Sequence, residues 1–530
     1  MNPAQAFINE VEKLQQPMNA VIGKGDSPVQ NWYKGSVVFI TGGNGFLGKL
    51  LVEKLLRACN MKKIYILLRG KKNKTMMERL EIMLQDPIFD HLKEKKSKEL
   101  LKIVPVAGDV ADLRLGLADS DWKTLVEEVD IIFHMAATTR FDEPLRVATN
   151  VNIRGTREAL ALARACKKLR LFNHVSTAYT YTTKENVHGD VLEEFYKPPV
   201  APRALIEMVE TMTDDRLNAI NEKLIEGWPN NYAFTKAVAE DLIKETGGDL
   251  PICVMRPSIV QGSYYEPAPG WADNSVLFGA SGLIYGGGQG VLHVLYFNKK
   301  TRLSFVPGDY VTNATIAAGW HYASRRREDQ KDIKIYTISS TKCNFNISIL
   351  SKAMKDPKSK RLASPLALWY CFVFECYNRL PFFILTWLLH FIPAYLLDGI
   401  FFAFRINMPS GIKFVAIYRK IYKMNLSFAY FLSNDWTLRD DNTEELYSAM
   451  SPEDKAIFNF DVTDINWHQY VLTIGLGLRK YVAKDGLKDA EYAVKKQNYL
   501  MIANFIFFAL YFYAIYKVLY LAYTVVSYLY

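Results

Sequence analysis

The stretch SVVFITGGNGFLGKLLVEKLLRAC constrains the fold of this chain more than any other. A β-branched run, Val37–Thr41, turns through glycines into a helical pattern carrying Phe46, Leu47, Leu50, Leu51 and Leu55. Gly42, Gly45 and Gly48 are spaced G-x-x-G-x-x-G. Glycines at such a turn permit a tight bend and a close backbone approach, and the following helix N-terminus favours a pyrophosphate. Further strand-like runs follow at Lys63–Leu68, Ile103–Val110, Ile131–Ala137, Leu171–Tyr179 and Ile252–Val260, with helical patterns between most of them. Strands alternating with helices predict an α/β, Rossmann-like doubly wound parallel sheet, with ligands bound beyond the carboxyl ends of its strands.

The second strand ends in LLRGKKNK, with Arg69, Lys71 and Lys72 where an NAD site usually places an acid. A guanidinium there can grip a 2′-phosphate in bidentate fashion, which favours NADP over NAD, although an ordinary basic loop would read the same. Asp109, after the third strand, can reach the adenine end or stabilise its own turn.

A second constellation lies further on. NNYAFTKAVAE places Tyr232 four residues before Lys236, neighbours on one helical face. The strand before it ends in HVSTAY, which supplies Ser176 and Thr177. A carbonyl that receives hydride becomes an alkoxide and needs a proton donor in place. Tyrosine serves if a nearby ammonium favours its phenolate, and a hydroxyl residue orients the carbonyl. Each element is weak alone, and the ordered set is specific.

Half of the 530 residues are apolar and the formal charge is +10. The lysines are not gathered into one tract, so no nucleic-acid partner is expected. The six cysteines lack zinc spacing, and the histidines His134, His174, His390 and His468 lack ligand spacing; a reducing compartment and no metal are expected. The N-terminus lacks a signal-peptide core. Tyr499–Tyr516, by contrast, is 18 residues without a formal charge, preceded by Lys495 and Lys496. That length suits a membrane segment with a cytosolic flank. A second apolar stretch, Leu380–Leu397, contains Pro381 and Pro393, which should disturb a continuous helix; it reads as a packed or membrane-grazing element. The segment Tyr285–Gly290, YGGGQG, reads as a loop that could move over a substrate or as a plain connector.

Together TGGNGFLG, HMAATTRFDEPL, HVSTAY, YAFTKAVAE, MRPSIV and GWADNSVLFGASGLIYGGGQG resemble the fatty acyl-CoA reductases, extended members of the short-chain dehydrogenase/reductase superfamily. LLHFIPAYLLD and FNFDVTDINWHQYVLTIGLGLRKYVAKD resemble that family's C-terminal domain, so the likeness runs from about Gly35 to Asp485. Asn44 in the glycine turn and Tyr310 depart modestly from the pattern. The resemblance implies NADPH-dependent reduction of a long-chain fatty acyl-CoA to a primary alcohol, with release of CoA through a bound aldehyde. It implies Tyr232, Lys236 and Thr177 as catalytic residues, with Ser176 as the alternative hydroxyl. It places the cofactor on Thr41, Gly42, Gly43, Asn44, Gly45, Phe46, Leu47 and Gly48, on Arg69, Asp109, Val110, Ala136 and Ala137, and on Tyr232, Lys236, Pro257 and Ser258.

The implied organisation is an N-terminal extension (1–34), an NADP-binding reductase domain with its substrate subdomain (35–340), and a mainly helical C-terminal domain (341–485). A basic linker (486–498) and a membrane-anchoring tail (499–530) complete it. The catalytic part is expected to face the cytosol from the endoplasmic reticulum, with the peroxisome as the alternative address; a homo-oligomer stays open. Rival readings are another membrane-bound extended reductase acting on a sterol or other carbonyl, and a non-catalytic NADP-binding scaffold.

Overall fold

The computed structural model describes residues 3–70, 74–324, 332–343, 345–346, 348–349, 352, 363–405 and 413–529. Lys71 and Lys72 lie outside them. Seven parallel strands form the central sheet: β1 (Val37–Thr41), β2 (Lys63–Leu68), β3 (Ile103–Ala107), β4 (Ile131–His134), β5 (Leu171–Val175), β6 (Ile252–Pro257) and β7 (Lys334–Ile338). Their spatial order is β7-β6-β5-β4-β1-β2-β3. Successive side chains point to opposite faces. Val38 and Ile40 accordingly enter one core while Val37 and Phe39 enter the other. Burial on both faces explains the unbroken apolar runs in the sequence.

The strand order reverses between β1 and β4, which opens a crevice past their carboxyl ends. Into that crevice β1 delivers the glycine turn, followed by helix α1 (Phe46–Ala58). Gly42 has φ +75°, and a Cβ on it would lie 2.8 Å from the Ala136 nitrogen at the end of β4. A Cβ on Gly48 would lie within 2.2 Å of the Gly42 carbonyl oxygen. Only glycine fits either place.

Two features of the strands differ from the sequence reading. Ile252–Val260 is not one strand: β6 stops at Pro257, and Ile259–Gln261 joins a separate two-stranded sheet with Phe305–Pro307. Pro257 has no N–H to offer a ladder, and the Ile259 N–H turns to the Ser304 carbonyl instead, at 2.9 Å. The edge strand β7 was not anticipated.

Helix α2 (Gly155–Ala165) is entered through a π-turn at Asn150–Arg154, and α3 (Asn231–Thr246) starts on an Asn230 cap whose side-chain oxygen accepts the Ala233 N–H. Tyr285–Gly288 is the last turn of the helix Ala280–Gly288, so the expected loop is largely helical and ends on Gly290 with φ +69°.

Beyond the sheet, α4 (Arg379–Ala403) is continuous despite its prolines. Pro381 sits in the first turn, where its missing N–H is no loss. Pro393 follows a π-turn at Trp387–Phe391, whose wider winding relieves the clash with the preceding turn. Helix α5 (Phe414–Ser433) runs from α4 back to the sheet, and α6 (Ala490–Leu529) ends the chain as one 40-residue helix. Its first turns take in residues 490–498 of the expected linker.

Candidate active site

A cavity of about 400 Å³ lies at the switch point. Its floor is the glycine turn (Gly42, Gly45–Gly48), one side is Ser176, Thr177, Tyr232 and Lys236, and Pro257 and Ser258 close another. The far wall is apolar and comes from Phe141, Phe428, Phe431 and Leu432. Motifs separated by almost two hundred residues of sequence therefore meet in one space.

Helix α3 enters at the carboxyl end of β5, so the i,i+4 pair Tyr232 and Lys236 faces the strand-end hydroxyls. The Lys236 ammonium donates to the Val175 carbonyl at 2.8 Å. Burial lowers its pKa to about 8, partly opposed by Glu240. Burial also pushes the Tyr232 phenol up to about 12, against a hydrogen bond from Thr177 that favours ionisation. Desolvation dominates, and the phenol is kept in its proton-donating form. The Ser176 and Ser258 hydroxyls are buried without a hydrogen-bond partner. Unsatisfied buried hydroxyls are costly, so their place in the cavity wall is where a ligand would repay them.

Ala137 also lines the cavity, and the other expected cofactor residues fall outside its lining. The Thr41 hydroxyl holds His134 Nδ1 at 2.9 Å and accepts the Ala136 N–H at 3.3 Å, fixing the loop beneath the site. A Cβ on Gly43 would strike Ile66 at 2.6 Å, and Asn44 is half-buried in the turn. Val110 faces inward and packs where Gly155 lacks a side chain, so its side chain belongs to the core. Asp109 caps the Ala111 N–H at 3.0 Å and pairs with the exposed Arg69 at 3.9 Å, so it does stabilise its own turn.

Sequence reasoning missed four residues. Asn152, in the π-turn before α2, accepts the Thr138 N–H at 3.0 Å and donates to the Thr235 hydroxyl at 3.0 Å. It thus ties the loop after β4 to helix α3, and nothing in ATNVNIRG signals a π-turn. Phe141 sits 6.1 Å from the Tyr232 ring, 5.2 Å from Phe428 and 5.4 Å from Phe431. The last two come from α5, almost three hundred residues after Phe141, and the only hint was their place on an amphipathic helix. The stretch Leu380–Leu397 contributes nothing to the cavity lining.

The glycine cradle, the helix N-terminus behind it and the orphaned hydroxyls fit a dinucleotide with a pyrophosphate and a nicotinamide ribose. Two family profiles, both described as "Male sterility protein", match residues 40–315 and 389–485. The chain is 32% identical over 502 residues to "Fatty acyl-CoA reductase wat" of Drosophila melanogaster, covering 94% of each chain. It is 34% identical over 479 residues to "Fatty acyl-CoA reductase 1" of Homo sapiens, covering 89% of each.

The chain belongs to the fatty acyl-CoA reductase family.

This reductase is a nicotinamide-dependent oxidoreductase on a Rossmann-like fold with a mainly helical C-terminal region. Its backbone also resembles the terminal R domain of the myxalamid PKS-NRPS pathway, with a TM-score of 0.55 at 19% identity, covering 86% of this chain and 92% of that one. That likeness speaks to the fold alone.

Proposed function

We propose that the reductase converts long-chain fatty acyl-CoA to the primary alcohol with NADPH, releasing CoA and passing through an aldehyde that stays bound. The observation that carries this reading is the single cavity in which the glycine turn, Tyr232, Lys236, two strand-end hydroxyls and an aromatic wall converge. When bound, each nicotinamide would supply one hydride, so two NADPH molecules bound in turn would serve first the thioester and then the aldehyde.

Every other task falls to side chains. Thr177 holds the Tyr232 phenol and, with Ser176 as the alternative, orients the substrate carbonyl. Tyr232, neutral through burial, gives its proton to the developing alkoxide of the aldehyde step. Lys236 lies one helical turn away and offers its ammonium to the ribose and to the phenolate left behind. The glycine turn and α1 hold the pyrophosphate, with Ala136, Ala137, Pro257 and Ser258 around the nicotinamide half. Arg69 takes the 2′-phosphate. Phe141, Phe428 and Phe431 exclude water from the reacting carbon and receive the first methylenes of the chain. Burial contributes about 0.8 kcal/mol per CH₂, which favours retention of the aldehyde between reductions.

The terminal helix anchors the enzyme, with Lys495 and Lys496 on the cytosolic side and the endoplasmic reticulum as its address. Membranes containing the protein, given NADPH and a ladder of acyl-CoAs, should yield alcohol with two NADPH consumed per CoA released. Aldehyde as the sole product would remove the second reduction; no product at any chain length would remove the substrate class.

A further inference from the structure

Helix α4 carries a feature that catalysis does not use. Phe382, Thr386, Leu389, His390 and Ala394 are buried against the body of the protein over the first part of the helix. The His390 ring accepts the His293 N–H at 2.9 Å, and Asp398 caps the start of α5 through the Phe414 and Val415 N–H groups at 2.8 and 3.0 Å. The rest of its surface is apolar and open. Leu380 is 69% exposed, Phe383 51% and Trp387 40% beside the packed residues, and Ile400 is 48% and Phe402 86% exposed beyond Ala394, where no residue is buried. A contiguous exposed apolar face of this kind marks an interaction site.

Three observations identify the partner as a lipid surface. The anchoring helix α6 lies alongside: the Tyr511 hydroxyl donates to the Leu388 carbonyl at 3.0 Å, and Phe508 packs with Phe382 and Leu389. The open face of α4 is therefore continuous with the segment read as membrane-embedded. The stretch 379–423 carries Arg379, Arg405, Lys413, Arg419, Lys420 and Lys423 against one acid, Asp398, which is occupied as a helix cap. Cations flanking an apolar face suit anionic headgroups. Finally, packing from Phe382 to Ala394 leaves only residues 395–403 clear of the body, about 14 Å of helix. That is too short to cross a hydrocarbon core of about 30 Å, so the helix lies on a membrane rather than crossing it.

We propose that α4 is an in-plane membrane helix, its open face in the acyl region, through which the active site exchanges its long-chain substrate and product with the bilayer. Helix α5 makes the link. Its Tyr422 stacks on Phe382 of α4 at 5.9 Å, and its Phe428 lines the catalytic cavity. The two contacts are six residues apart, about 9 Å along the helix axis. The site is thus one short reach from the lipid-facing helix. The inference rests on the reading of α6 as the anchor.

The test uses full-length protein in phosphatidylcholine vesicles with and without phosphatidylserine, in a Cys371→Ser background. A nitroxide is attached in turn at Phe383→Cys, Ile400→Cys, Phe512→Cys in the anchor, and Lys123→Cys as a water reference. Labels at 383, 400 and 512 should relax more with oxygen than with a soluble nickel chelate, in the reverse order to 123. Phosphatidylserine should strengthen the contrast at 383 and 400. Water-exposed labels at 383 and 400 with 512 in lipid would overturn the in-plane helix and leave the anchor standing. Water exposure at 512 as well would overturn the anchor itself. Spin–spin broadening between copies at 400 would assign the face to a second chain instead. The double variant Phe383→Glu, Ile400→Glu should raise KM for vesicle-delivered acyl-CoA several-fold with kcat unchanged, and an unchanged KM would overturn the exchange route.

Discussion

Two buried polar clusters, one on helix α1 and one in the cavity, are built on opposite plans. On the back of α1, every charged group has a partner. Lys54 donates to both Glu266 oxygens at 2.8 and 2.7 Å and to the Ile457 carbonyl at 2.6 Å, while Arg57 reaches Glu53 at 2.7 Å and Glu266 at 2.8 Å. Asn313 donates to the same carboxylate at 2.7 Å. In the cavity, Lys236 has a single carbonyl, and the hydroxyls of Ser176 and Ser258 have no partner. Burial acts on both clusters. It tends to raise the Glu266 pKa, but Lys54 and Arg57 together outweigh it and hold the carboxyl down at about 2. Lys236 has no such counterweight beyond the one-turn-distant Glu240, and burial lowers it to about 8. A satisfied cluster fixes structure; an unsatisfied one is left for a ligand to complete.

The contrast breaks most sharply at Tyr232. Tyr232→Phe removes one proton and little volume, so turnover should fall by about 10²–10⁴-fold, the usual worth of a positioned general acid. Cofactor binding, followed by fluorescence titration, should stay within about twofold, since the lost phenolic hydroxyl is not a phosphate contact. Activity retained near the original level would sink the assigned role.

Glu266→Gln should do the reverse. Stripping the shared carboxylate leaves Lys54 a buried cation without a carboxylate, while Arg57 keeps Glu53, a loss of about 3–5 kcal/mol. The denaturant midpoint in detergent should drop, while kcat of the surviving folded enzyme should hold. The acid limb of stability supplies a second reading. Because the folded Glu266 pKa lies below its ordinary value, its contribution is present above about pH 4.5 and lost as pH falls toward 2. The variant should lose stability less steeply over that window.

Lys236 separates the two plans by pH. Its folded pKa lies below that of a free lysine, so the unfolded chain binds more protons between about pH 8 and 10.5, and this group's contribution makes stability rise across that window. Activity should move the other way. If the ammonium is required, kcat/KM should fall about tenfold per pH unit above about 8. A profile flat to pH 10 would mean that charge at Lys236 is not needed.

These contrasts also show what the sequence could carry. Strand runs with both faces buried are apolar throughout, and the glycines are dictated by backbone clearance at Ala136 and at the Gly42 carbonyl. Both marks survive in linear order, so the α/β fold and the residues at its switch point were legible. Tyr232 and Lys236 were legible because a helix turns spacing into adjacency. The wall was not. Phe141, Phe428 and Phe431 meet only because α5 returns to the sheet, and an aromatic residue that lines a cavity is indistinguishable in sequence from one that fills a core. The break after Pro257 was hidden for a related reason: two strands in different sheets read as one apolar run when a single residue separates them.

Arg69 is the smallest test and bears on cofactor choice. Its side chain is 75% exposed, and Asp109 stands 3.9 Å away. A 2′-phosphate has to compete with that carboxylate for the guanidinium. The competition is weak, because an exposed pair of this kind is worth about 0–1 kcal/mol. A phosphate held by charge-assisted hydrogen bonds contributes about 1.5–3 kcal/mol, nearer the lower figure at an exposed site. Arg69→Ala should therefore raise KM for NADPH about tenfold and leave KM for NADH almost unchanged, because NADH presents a ribose hydroxyl there and no anion. Asp109→Asn should shift the preference the other way, by releasing the guanidinium and removing a like charge from the phosphate. Equal losses for both cofactors in Arg69→Ala would mean that the residue supports the loop rather than reads the phosphate, and the choice between NADPH and NADH would then rest on groups other than Arg69.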